Sequence, residues 1–178
     1  MTPLAHAAVG MTAWKLSSRR GEAKALFIFM LVSCLPDIDL LFYHLFGRPE
    51  VFKHQLYSHN IFFALLSAAV FFPLLKTKRE KAALTLVALS HLVMDVFVVD
   101  DVAPVGFRPF WPLSNLLLSF GFFPYVRRGT PAQVLTVENL FALGLETALF
   151  AVPALIFCRR ELGYLWKTRV LKKDANSA

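Results

Sequence analysis

The segment Leu35–Phe46 reads LPDIDLLFYHLF, and its two carboxylates govern how the chain is read. It closes an apolar run of 22 residues, Ala25–Phe46. As a helix that run measures about 33 Å, enough to cross a hydrocarbon core of about 30 Å. Asp37 and Asp39 then lie at membrane depth, where an unpaired ionised carboxylate is unfavourable and a functional site with partners is the default expectation. Pro36 lacks an amide hydrogen and its ring crowds the preceding turn, so the helix should kink or open there. Two residues apart, the carboxylates would diverge on a regular helix. A break beside Pro36 lets both turn inward.

The rest of the composition agrees with a membrane environment. Hydrophobic residues make up 57% of the 178 and charged residues 17%. Soluble domains average about 45–50% apolar and about 25% charged. The net charge of +7 comes from basic clusters in KLSSRRGEAK, KTKREK and RRELGYLWKTRVLKK. These sit at the ends of apolar runs, which argues against nucleic-acid binding. Cys34 and Cys158 lie in or beside apolar segments and imply no disulfide framework. Ser18–Cys34 resembles a lipoprotein signal, but the apolar run continues past Cys34 to Phe46.

Further apolar runs are Pro3–Leu16, Asn60–Leu75, Ala82–Val99 and Leu140–Phe157. Thr2 and Pro3 suit the cap and first position of a helix. Leu113–Tyr125 is too short to span and reads as interfacial or re-entrant. The expected fold is all-α: a polytopic helical bundle of about four to five membrane helices with one short interfacial segment. It forms a single integral membrane domain, with the metal site in residues 1–158 and a basic cytoplasmic tail in 159–178. Placing Arg19–Lys24, Lys76–Lys81 and the tail in the cytoplasm puts 14 of the 19 Lys and Arg there, counting Lys15. The N-terminus and the His54–His59 loop are then extracytoplasmic.

In that topology the ionisable residues gather near one face. They are His6, Asp37, Asp39, His54, His59, His91 and Asp95, from four stretches of sequence. His91 and Asp95, at i and i+4, share one helix face. A mixed His/Asp set favours zinc or another first-row divalent ion, and seven candidates leave room for one or two ions. Each element has a bland alternative. His6 alone reads as a packed histidine, the Asp pair as a cap, and Glu146 as a helix–helix hydrogen bonder.

The ordered set resembles the YdjM-like family of inner-membrane proteins, described as metal-dependent hydrolases and as LexA-binding. The matching elements are His6, PDID at Pro36–Asp39, HQLYSHN at His54–Asn60, SHLVMD at Ser90–Asp95 and FRPFWP at Phe107–Pro112. They span about the first 112 residues. Gln55, Leu56 and Asn60 depart from the family's loop, while both histidines keep their separation. A more distant resemblance to zinc-dependent phospholipase C suggests phosphoester chemistry.

The leading expectation is a metal-dependent hydrolase of the inner membrane acting on a lipid or lipid-linked phosphoester, with its site toward the extracytoplasmic face. His6, Asp39, His54, His59, His91 and Asp95 are the expected direct ligands. Asp39 is the firmer of the two aspartates, and Asp37 serves as a further ligand or as the catalytic base. The alternative is a non-catalytic, metal-stabilised scaffold that meets a cytoplasmic protein at its basic tail. A transporter fits less well, because the cytoplasmic halves of the helices are nearly free of acidic groups. No nucleophile-elbow pattern supports a serine hydrolase at Ser58 or Ser90.

Overall fold

Pro36 does divide the first long apolar run. In the computed structural model, which describes residues 1–18, 22–46, 55, 57–99, 106–124 and 135–175, α2 (Ala23–Cys34) gives way to a 3₁₀ turn, Leu35–Asp37. The chain then resumes as α3 (Ile38–Leu45). Before them comes α1 (Pro3–Ser17), with Pro3 in the first turn, where its missing N–H leaves no helical bond unmade. After them come α4 (Ile61–Phe71), extended by a 3₁₀ turn Phe72–Leu74, and α5 (Lys78–Val96). The final helix starts as α6 (Val137–Glu146), passes through a π turn Thr147–Ala151 and continues as α7 (Val152–Ala175). No strand occurs among the described residues; two isolated bridges, Val98 with Phe123 and Phe107 with Leu118, hold the segment 106–124.

The short α1 is the hub. Ala5, Ala8, Met11 and Trp14 are buried, and α1 packs on α2, α5 and α7. Gly10 permits a close approach to α2: a Cβ there would stand 2.5 Å from the carbonyl oxygen of Phe29. A second core joins α2, α4 and α5 through Ile28, Phe29, Val32, Ala64, Ala68, Leu84 and Ala88. Contacts Thr2–Glu146, Met11–Cys158 and Lys15–Glu161 set α1 parallel to the α6–α7 helix.

Outside this core the helices present large apolar side chains to the surroundings: Phe62, Leu66 and Val70 on α4, Leu86 and Val93 on α5, Leu155 and Ile156 on α7. An exposed apolar surface of that extent suits lipid rather than water. Two helical stretches, Ala23–Phe42 and Val137–Thr168, are long and apolar enough to cross a membrane, and Ile61–Leu74 is apolar but shorter. Of the four to five membrane helices expected, two among the described residues have the length and apolarity to span. The predicted division at residue 158 falls inside α7, which runs without interruption to Ala175.

The two ends of the bundle differ in chemistry. At one end α5 begins in a capping box, in which the Thr77 hydroxyl accepts from the Glu80 N–H while Glu80 accepts from the Thr77 N–H. There Lys76 pairs with Glu22, and Arg79 donates to the Leu16 carbonyl. The start of α1, the end of α2, the start of α4 and the end of α5 meet at the other end, and the histidines and aspartates are there.

Candidate metal centre

Four local events build the site. The proline break leaves Asp37 at φ −76°, ψ 3°, off the regular helix, and both Asp37 and Asp39 are buried. Asn60, itself extended, caps α4 by accepting from the Phe63 N–H at 2.9 Å, which fixes the end of the bend carrying Ser58 and His59. One face of α5 delivers His91 and Asp95. The first full turn of α1 brings His6 alongside.

The donor atoms of Asp37, His59, His91 and Asp95 all lie within 4.8 Å of one another. His59 Nε2 and His91 Nε2 are 3.2 Å apart, and each is 3.3 Å from Asp95 Oδ2. Asp37 Oδ1 is 3.6 Å from His59 Nε2 and 3.7 Å from His91 Nε2. A tetrahedral ion with N and O ligands has edges of about 3.4 Å between its donor atoms. Five edges of this tetrahedron thus fall near the expected length.

The outer ring nitrogens decide which atoms carry hydrogen. His91 Nδ1 lies 2.8 Å from the Ser33 carbonyl, an oxygen in the last turn of α2 that lacks a helical partner, so Nδ1 is the donor. Ser58 donates its hydroxyl hydrogen to Asp39 Oδ2 at 2.7 Å. Its oxygen, 3.1 Å from His59 Nδ1, therefore accepts from that nitrogen. With both Nδ1 atoms donating, the two Nε2 atoms face each other and two carboxylate oxygens, the side from which a metal ion would be ligated. Four potential ligand atoms converging in a buried space form a group that could hold a cation between them. Ligating histidines are oriented by just such hydrogen bonds from the far nitrogen to a carbonyl or carboxylate.

The remaining candidates take other positions. Asp39 stands behind His59, 3.5 Å from Nδ1, and also accepts from the Gln55 N–H at 2.9 Å. The expected ranking of the aspartates is thereby reversed: Asp37 belongs to the four-donor group, while Asp39 orients His59 and Ser58. The cause is the tightened turn after Pro36, which re-aims Asp37 instead of leaving it on the far side of a helix. His6 stacks on His91 with ring centroids 3.8 Å apart, and its Nε2 is 3.3 Å from Asp95 Oδ1. It lies beside the group rather than in it. His54 falls outside the described residues. Glu146, fully buried, accepts from the Thr2 N–H at 2.8 Å and from the Thr2 hydroxyl.

Sequence reasoning passes over three contributors. Ser58 is named only as a nucleophile, yet here it links Asp39 to His59. The Ser33 carbonyl carries no sequence signal beyond its place in the last turn before Pro36. Phe107 packs 6.3 Å from the His59 ring and joins the following strap to the site.

The YdjM inner membrane protein model matches residues 1–168. The chain belongs to the YdjM inner membrane protein family. Family membership and the exposed apolar helices together assign the bundle to the inner membrane. Within this YdjM-family chain, Asp37, His59, His91 and Asp95 form a buried group able to hold a metal ion. Comparison with curated proteins and with solved structures gives no match.

Proposed function

We propose that the protein is a multi-pass, metal-dependent hydrolase of the inner membrane that acts on a lipid or lipid-linked phosphoester. The observation that carries the metal half is the convergence of the Asp37, His59, His91 and Asp95 donor atoms within 4.8 Å, with each histidine held by a hydrogen bond at its far nitrogen. Asp37, His59, His91 and Asp95 would hold the ion, and the donor set suits zinc or a neighbouring first-row divalent metal. Bound there, such an ion would supply Lewis acidity and a water of lowered pKa. Asp37 is the most accessible of the four donors, at 8% exposure against 0–4% for the rest. It is therefore the carboxylate best placed to take a proton from an attacking water. The Asp39–Ser58 pair keeps His59 in the tautomer the site needs. In this reading α1, α4 and α5 complete the membrane bundle, and the acidic end faces away from the cytoplasm.

One observation favours a second reading. Four donors fill a tetrahedron, as in a structural site, whereas a catalytic site keeps a position open. The alternative is a metal-stabilised scaffold whose partner is a cytoplasmic protein at the basic end. Purified protein of measured metal content, tested on lipid phosphoesters and simple esters in mixed micelles, separates the two. The enzyme reading expects hydrolysis that a chelator abolishes and added metal restores, and no activity in Asp37→Asn even at saturating metal. Fully loaded wild-type protein that hydrolyses none of these substrates would leave the scaffold.

A further inference from the structure

The segment after α5 has no place in the metal chemistry, yet it is bonded to the site from both sides. The Phe120 N–H donates to the Val96 carbonyl at 2.6 Å, and the N–H groups of Phe122 and Phe123 donate to Phe97 at 3.0 and 2.8 Å. These bonds fasten it to the end of α5, just past Asp95. On the other side the Ile61 N–H donates to the Pro109 carbonyl at 2.9 Å, and the Trp111 ring meets Tyr57 edge-on at 5.1 Å. Those contacts fasten it to the start of α4, beside His59. Phe107 and Leu118 exchange both backbone bonds, which folds the segment into a strap.

The strap's outward chemistry is unusual. From Pro109 to Tyr125 the sequence contains no charged side chain. Leu113, Leu116, Phe120 and Phe122 are 54–80% exposed. Water is a poor neighbour for that surface, while the hydrocarbon centre is a poor neighbour for irregular backbone. The boundary between headgroups and acyl chains satisfies both, because apolar side chains dip inward and the remaining backbone groups stay hydrated. Tyr57, which meets Trp111 on the strap, and Phe62 on α4 are exposed as well.

We propose that residues 107–124 form a lipid-docking platform, which lies in the headgroup–acyl boundary and places the His/Asp cluster near lipid headgroup level. The occupant is the bilayer surface itself. This holds whether or not the cluster turns over a substrate, so its test does not use hydrolysis.

An environment-sensitive fluorophore is attached at Leu113→Cys or Phe120→Cys in a Cys34→Ala background, with full-length protein in phosphatidylethanolamine–phosphatidylglycerol vesicles. Leu86→Cys on α5 serves as the deep reference and Lys78→Cys as the aqueous one. Lipids carrying quenchers at different depths should locate the labels at 113 and 120 about 5–10 Å below the headgroups, shallower than the label at 86. A headgroup-diazirine phospholipid should crosslink to peptides containing Tyr57 or Trp111. Labels at 113 and 120 quenched by aqueous iodide as fully as the label at 78 would overturn the proposal, as would labels as deep as the one at 86. Both label sites are exposed; the Phe120 ring also packs on Phe97 with centroids 5.9 Å apart, so Leu113→Cys gives the independent reading, and the reference at 86 verifies insertion.

Discussion

At the scale of single residues, two aspartates in one tetrapeptide take different parts. Asp37 offers an oxygen to the donor group, and Asp39 holds the histidine that completes it. Asp95→Ala and His91→Ala should abolish stoichiometric metal binding, because each removes a donor and leaves the others facing one another. Asp39→Asn should retain binding but weaken it by about 10–100-fold, the usual cost of losing a hydrogen bond that orients a ligand. Metal titration of the purified variants checks both, and equal losses in Asp39→Asn and Asp95→Ala would contradict the assignment. Metal should also be released as pH falls, since a protonated imidazole or carboxylate cannot ligate; a competition assay across pH reads this directly. The residues that matter were legible in the sequence because ionised groups are rare in apolar runs. Their division of labour was not. It depends on the ψ of Asp37 and on the far side of each imidazole ring, and sequence spacing reports neither.

At the scale of elements, the decisive features are a break, a cap and a close approach. The break at Pro36 could be read from the proline alone, and so could the helix bearing His91 and Asp95 from its spacing. Gly10 could not, because its importance comes from what lies opposite. A methyl group there would meet the Phe29 backbone, which cannot swing aside, as well as the Ser33 hydroxyl. Gly10→Ala should therefore force α1 away from α2 and lower stability by about 1–3 kcal/mol, the usual penalty of overpacking. Thermal unfolding in detergent measures it, and an unchanged midpoint would show that the two helices can separate freely. Asn60→Ala removes the α4 cap and should cost about 1 kcal/mol. It should also loosen metal binding, because His59 sits on the adjacent residue. That second effect distinguishes it from an ordinary lost cap.

At the scale of the whole molecule, polarity runs from end to end. Acidic and imidazole groups gather at one end, and Lys76, Lys78, Arg79 and Lys81 mark the other. If the basic end is cytoplasmic, a cysteine at Leu135, which is exposed near the start of α6, should react with a membrane-impermeant reagent in intact cells. A cysteine at Lys78 should react only after permeabilisation. The reverse pattern would invert the orientation and turn the metal centre toward the cytoplasm. Overall helical character and membrane location could be read from composition and run length. The number of crossings is less accessible to that reasoning, because α1 and α4 are short, and they are held by packing on neighbours, α1 on α2, α5 and α7 and α4 on α5.

The bond between Thr2 and Glu146 joins residues 144 positions apart. On a ribosome making about 5–20 residues per second, every donor of the metal group has been synthesised well before Glu146. For several seconds the ligands exist without the helix that anchors the first turn of α1. A cation taken up in that interval would enter a site whose α1 side is held by α2 and α5 but not yet by Glu146. Maturation is thus set to finish from the far end of the chain, when the last helix docks along the first.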